Sequence, residues 1–263
     1  MTYKDQMNRE VLLDSQPERI ISLVPSQTEL LHSLGLGDRV VGITKFCLYP
    51  DEWYRGKHRI GGTKDVILEK VAKLAPDLII GNKEENKRGD IEMLEKEYPV
   101  WMSDIFNLED SLKMIQKVGE LTGTSKPAEK LISEIQEEFD DLEKWVAANV
   151  KEQLSVAYVI WNDPSYCAGS NTFIDAMLEK CGLGNFVNEE RYPEINKGNK
   201  SPDLVFLSSE PFPFKQKHVQ AYQERYPDAK VVLVDGEMFS WYGSRLTLAP
   251  KYFKELLKQI ALN

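Results

Sequence analysis

Apolar residues along the chain recur in two rhythms. Short runs of four to six fall between breakers, and longer segments step by three and four, so strands alternate with helices. Residues 19–24 (RIISLV) read as a buried strand broken at Pro25-Ser26, 28–34 as a helix stopped by Gly35 and Gly37, and 39–43 as a second strand. A ring-rich loop spans 45–53. Helix 66–74, strand 77–80, helix 85–97, strand 100–102 and helix 108–121 follow. Next comes SKPAEKLISEIQEEFDDLEKWVAAN, residues 125–149. Its apolar residues Ala128, Leu131, Ile132, Ile135, Phe139, Leu142, Trp145 and Val146 fall on one helical face. Ser125 is the expected N-cap, and a helix this long is a rod of roughly 36 Å.

The second half repeats the first. QTELLHSLGLGDRV (27–40) is echoed by NTFIDAMLEKCGLGNFV (171–187), and APDLII (75–80) by SPDLVF (201–206). Tyr98-Pro99 before a strand is echoed by Tyr226-Pro227 before strand 230–234, and a last amphipathic helix covers 246–262. Three echoes in one order imply an internal duplication. The expected fold is α/β: two lobes, each a mostly parallel sheet flanked by helices, joined by one long backbone helix. Residues 1–124 form the first lobe, 125–149 the link and 150–263 the second lobe. The alternative is one large domain with an ordinary long surface helix.

Composition narrows the function. The 263 residues carry a formal net charge of −9, and no basic run appears, which argues against a nucleic-acid surface. No apolar run approaches the length of a membrane span. The start, MTYKDQMNREVLLDSQPERI, lacks the basic end and apolar core of a secretory signal. Cys47, Cys167 and Cys181 suggest neither a disulfide framework nor a zinc site. His32, His58 and His218 are isolated, so no metal site is expected, and no cofactor.

Ligands of open parallel sheets bind beyond the carboxyl ends of the strands. The loops expected there, 25–28, 45–49, 61–64, 82–88, 161–170, 208–214 and 236–245, are unusually aromatic. They hold Phe46, Tyr49, Trp161, Tyr166, Phe212, Phe214, Phe239, Trp241 and Tyr242, with Trp53 and Tyr54 just beyond. As a group these rings suit a bulky, partly apolar ligand in a cleft; singly, each could plug the end of a lobe. No catalytic motif is present. An enzyme reusing the two-lobed frame would have only Tyr49 or Glu237 as candidates.

RIISLVPSQTELLHSLG, VVGITKFCLYP, GGTKDVILEKVAKLAPDLIIG, AGSNTFIDAMLEKCGLGNF, SPDLVFLSSEPFPF and VDGEMFSWYGSRL, in that order, resemble the solute-binding proteins of ABC importers for cobalamin and ferric siderophores, nearest to the cobalamin-binding branch. The resemblance implies capture of a corrinoid or ferric siderophore in an interlobe cleft, delivery to an ABC permease, and no catalysis. It also implies a small-molecule metal-chelate ligand, no nucleic acid, no membrane insertion and a monomer. Ligand contacts would fall near Tyr49, Lys64, Asn82, Tyr166 and residues 237–245. Lys64 and Asn82 stand where the cobalamin binder has tryptophans. Lys64 and Arg245 therefore either meet an anionic ligand or are surface charge or an interlobe ion pair. Glu69 matches the first permease-docking acid. In the shortened segment 193–203 Glu194 is the best candidate for the second, and both acids have solvated helix positions as the alternative. The family implies an extracytoplasmic site, whereas the missing signal would leave a cytosolic binding or sensor member.

Overall fold

A computed structural model describes residues 1–195 and 201–261. Part of segment 193–203 and the end of the last expected helix therefore lie outside the described residues. The chain separates into two compact units. Unit 1 comprises Met1–Ile105, Glu109–Glu134 and Tyr242–Arg245; unit 2 comprises Phe106–Leu108, Ile135–Trp241 and Leu246–Asn263.

Unit 1 opens with an antiparallel hairpin, β1 (Thr2–Lys4) and β2 (Glu10–Leu12). The helices and strands that follow are β3 (Ile20–Ser22), α1 (Pro25–Ser33), β4 (Val40–Ile43), α2 (Asp51–Gly56), β5 (His58–Arg59), α3 (Leu68–Leu74), β6 (Leu78–Asn82), α4 (Arg88–Leu94), β7 (Val100–Ser103) and α5 (Leu108–Thr122). The sheet order is β5-β4-β3-β6-β7, parallel throughout. Strands covered on both faces read as near-continuous apolar runs, and β3, β6 and β7 are buried at every position, with a polar residue only at the end of each: Ser22, Asn82 and Ser103. Because the first strand of this sheet is central, the order reverses beside β3, which opens a crevice at the carboxyl ends of β3 and β6.

Helix α6 (Ser125–Asn149) has the expected span. Its cap lies one residue earlier than expected: the Thr124 carbonyl accepts the first intrahelical bond from Ala128 N at 3.1 Å, so Ser125 is the first helical residue. Ala128, Leu131, Ile135, Phe139 and Leu142 are buried along one stripe.

Unit 2 repeats the plan with β8 (Ser155–Trp161), β9 (Tyr166–Cys167), α7 (Phe173–Lys180), β10 (Gly184–Asn185), β11 (Leu204–Ser208), α8 (Gln216–Arg225), β12 (Lys230–Val234), α9 (Gly236–Ser240) and α10 (Ala249–Ala261), the last two separated by a 3-10 turn at Ser244–Thr247 whose first two residues belong to unit 1. Strands β10-β8-β11-β12 run parallel, and β9 adds antiparallel to β8. The order again reverses around the unit's first strand. Ala157, Val159, Val205 and Leu207 pack with Phe214, Tyr222 and Tyr226 in its core.

Four expectations need correction. The loop expected at 45–53 ends in α2, which buries Trp53 with the His32 ring 5.2 Å away, edge-on. Helix α4 starts at Arg88 instead of residue 85, because the Asn82 side chain accepts from Glu84 N (2.8 Å) and Glu85 N (3.1 Å) and holds those residues in a turn. Helix α1 starts at Pro25, whose missing N–H suits a first turn. The loop expected at 236–245 contains α9, capped by Asp235 accepting from Glu237 N at 3.1 Å.

Candidate functional site

In unit 2 the parallel strands β8 and β11 deliver two loops at their carboxyl ends. Strand β8 finishes at Trp161, turns through residues 162–165 and returns as β9 with Tyr166. Strand β11 finishes at Ser208, whose hydroxyl donates to the Glu210 carbonyl at 2.6 Å and so bends the chain before Pro211. Ile160, Trp161, Tyr166, Tyr192 and Pro211 line an open hollow of about 360 Å³. Its walls are almost wholly apolar. Trp161 is 42% exposed, with Phe212 edge-on at 5.7 Å. An exposed indole over an apolar hollow gains contact area when a flat ligand covers it.

In unit 1 the corresponding rim follows β4. Phe46, Leu48 and Tyr49 are all exposed. The Lys45 amine sits 5.1 Å from the Phe46 ring centre, and the Arg245 guanidinium 4.8 Å from that of Tyr49. Arg245 is also paired with Glu29 through two bonds of 2.9 and 3.0 Å, with only a tenth of its side chain exposed. Of the alternatives for Arg245, the structure shows an ion pair, and it lies within unit 1. Between Phe46 and Leu48, Cys47 is buried, with the Thr28 and Thr44 hydroxyls 3.1 Å from its sulfur; burial pushes its thiol up.

The remaining candidates divide clearly. Lys64 is exposed and donates to the Glu84 carbonyl. Asn82 is buried, with Nδ2 donating to Ser103 Oγ at 2.9 Å and Oδ1 fixing the following turn, so its amide shapes the loop. Phe239 has no exposed surface: it packs in unit 2 against Phe253 (4.7 Å between ring centres) and Tyr158 (5.2 Å). That corrects its expected place among the ligand-facing rings. Trp241 and Tyr242 are more than nine-tenths buried. Glu69 stands exposed on the first turn of α3, beside the half-exposed Ile67 and Leu68. Glu194 is exposed and bridges antiparallel to Tyr166.

Glu29, Tyr192 and Pro211 went unread in the sequence. For Glu29 the available signal was its place one turn into the helix after β3, and for Pro211 its place in the loop expected at 208–214; Tyr192 is brought to the hollow only by tertiary structure. Among the described residues no group of three or more His, Cys, Asp or Glu is placed to hold a metal ion. No described helix is long and apolar enough to cross a membrane.

Residues 20–201, more than half of the chain, match the periplasmic binding protein family. The chain belongs to that family. Among its relatives, the uncharacterized ABC transporter substrate-binding lipoprotein YvrC of Bacillus subtilis is 32% identical over 184 residues, covering 68% of this chain but only 58% of YvrC. The vitamin B12-binding protein of Pectobacterium carotovorum is 23% identical over 239 residues, covering 89% of this chain and 86% of that protein. The crystal structure of the periplasmic vitamin B12-binding protein of Vibrio cholerae superposes with a TM-score of 0.79 at 21% identity, over 94% of this chain and 99% of that one. The molybdate periplasmic binding protein MolA of Haemophilus influenzae superposes with a TM-score of 0.80 at 13% identity, over 99% and 91%. Both structures share the fold of this periplasmic binding protein family member. Trp161, Tyr166 and Tyr192 lie inside the family match, while Pro211 and Arg245 lie beyond it.

Proposed function

We propose that the chain is the solute-binding component of an ABC importer, capturing a corrinoid or a ferric-siderophore chelate and releasing it unaltered. The observation that carries this reading is the hollow under Trp161, an exposed indole at the carboxyl ends of the central strands of unit 2. Its size, about 360 Å³, suits one flat portion of a chelate, since whole ligand pockets run from roughly 300 to 1,000 Å³. The relatives support the class: one is described as an ABC substrate-binding lipoprotein and another as a vitamin B12-binding protein. Tyr49 and Phe46 offer further exposed rings, and Lys64 a cation for an anionic edge of the ligand.

Among the described residues that line the hollow, the ionisable side chains are the phenols of Tyr166 and Tyr192, and no acid–base pair accompanies them. For the permease, Glu69 beside Ile67 and Leu68 offers an acid on an apolar patch, with Glu194 as the candidate on unit 2.

Absorbance and calorimetric titrations with cyanocobalamin, cobinamide, haemin, a ferric hydroxamate siderophore and molybdate test the reading. Saturable one-to-one binding of a chelate, weakened in Trp161→Ala and recovered with unchanged mass and spectrum, is the expected result. Binding of molybdate alone, or of none of the five, overturns it.

A further inference from the structure

Four of the five residues lining the hollow sit on segments far apart in sequence: Trp161 and Tyr166 flank one turn, Tyr192 lies in a second segment and Pro211 in a third. The β8–β9 pairing closes the Trp161–Tyr166 turn and Glu194 bridges to Tyr166, so the backbone aligns these segments, and side-chain bonds then add to what fixes the rings relative to one another. Arg225, at the end of α8, lines no part of the hollow yet reaches two of the three. Its Nη1 donates to Ser165 Oγ at 3.0 Å, inside the Trp161–Tyr166 turn, and its Nη2 donates to the Ile195 carbonyl at 2.8 Å, three residues after Tyr192.

Ser165 is the hub of this arrangement. It is buried, its hydroxyl donates to the Asn162 carbonyl at 3.0 Å, and it shares a 2.8 Å bond with the Tyr222 hydroxyl one turn before Arg225. Its carbonyl accepts from Ile195 N at 2.8 Å, and Cys167 N donates to the Pro193 carbonyl at 3.0 Å. The guanidinium itself lies against the Tyr226 ring, 5.4 Å from its centre. A planar fork with fixed donor directions is suited to holding two acceptors at a set separation, which a single ammonium does not do.

We infer that Arg225 is a positioning residue for ligand capture: through Ser165 and Ile195 it sets Trp161 and Tyr166 against Tyr192. The inference builds on the proposed function but concerns the hollow's geometry, so the two can fail separately. Arg225→Gln, which keeps a polar side chain but loses the charged fork, is expected to weaken the tightest-bound chelate of the five-compound panel by about fivefold to tenfold, the worth of one or two misplaced ring contacts. Arg225→Lys should restore only part of the loss.

The second reading needs no ligand. With fluorinated tryptophan in all five positions, the resonance assigned to Trp161 by its loss in Trp161→Phe should shift or broaden in Arg225→Gln. That of Trp101, wholly buried in β7 of unit 1, should stay in place. A residue that merely stabilised the fold would lower the melting temperature and leave the Trp161 resonance unmoved. If Arg225→Gln does not fold, Ser165→Ala carries both measurements. An unmoved Trp161 resonance overturns the inference, and so does unchanged affinity where the wild type binds. If the wild type binds nothing in the panel, the proposed function falls and the resonance alone decides the positioning role.

Discussion

Asp203 accepts a hydrogen bond from the Ser155 backbone N–H at 2.7 Å and a second from the Ser155 hydroxyl at 2.6 Å, so the start of β11 is tied to the start of β8. Asp77 does the same in unit 1, accepting from Glu18 N at 2.8 Å and Arg19 N at 2.9 Å just ahead of β3. Both aspartates belong to a Pro-Asp-Leu triplet. Each ties the unit's first central strand to the parallel strand beside it, and five residues later Asn82 and Ser208 turn the chain out of the sheet. The echo APDLII/SPDLVF is thus a repeated physical device: an acid that takes up backbone donors where neighbouring strands begin.

The Asp203 pair predicts a specific pH dependence. The Ser155 hydroxyl and N–H hold the Asp203 carboxyl below its usual range. A lowered folded pKa stabilises the protein above the unfolded value of about 3.9, and the contribution is lost as pH falls through the lowered folded value. Asp203→Asn should lower stability at pH 7 by about 1 kcal/mol, a modest figure because the group is exposed. Denaturant midpoints measured from pH 7 down to pH 2.5 should show the two proteins converging at the acid end. A constant difference across that range contradicts the assignment.

Gly169→Ala is expected to disturb the hollow as well as the fold. A Cβ there would stand 2.0 Å from the Glu189 carbonyl oxygen, a backbone atom with little freedom to move. Gly169 N donates to the Arg191 carbonyl at 2.8 Å, next to Tyr192, so relief of the clash pushes that segment away. A loss of about 1–3 kcal/mol is expected from thermal melts, accompanied by weaker chelate binding.

Breaking the Arg245–Glu29 pair should be costly on one side only. Glu29→Gln removes one carboxylate from a mostly buried guanidinium and should destabilise by about 1–3 kcal/mol. The double variant Glu29→Gln, Arg245→Met should recover part of that in a double-mutant cycle, whereas independent additivity of the two changes rules out the coupling.

All three thiols should be silent in the native state. Cys47, Cys167 and Cys181 are free and buried. Desolvation pushes Cys167 up to about 12 and raises Cys47 and Cys181 as well. The reactive thiolate is therefore scarce at pH 8, and labelling by an aromatic disulfide should proceed only as fast as unfolding. Rapid modification of Cys47 in folded protein refutes this.

Much of this architecture is visible in the chain because buried parallel strands are continuous apolar runs and α6 keeps one apolar stripe for its whole length. The N-terminal hairpin escaped the same reading. β1 and β2 are three residues each, and their turn depends on Asp5 accepting from Met7 N and Arg9 N, with Asn8 at φ +64°. Trp161 and Tyr166 were legible as rim rings because they sit next to a strand end. Phe239 was misread because a five-residue helix leaves almost no periodic signal and turns its ring into the core. Tyr192 had no local signature at all, and Pro211 lay in the expected loop 208–214 without a ring or charge to single it out; the Ser208 hydroxyl, bonded to the Glu210 carbonyl, bends the chain just before it.

The return of Tyr242–Arg245 to unit 1 bears on how the chain is made. A ribosome that has released everything through Glu134 has not yet synthesised the guanidinium that neutralises Glu29. The first unit therefore stays incomplete until residue 245 has been made, and a nascent fragment ending at Glu134 is a poorer substrate for folding than its own sheet suggests.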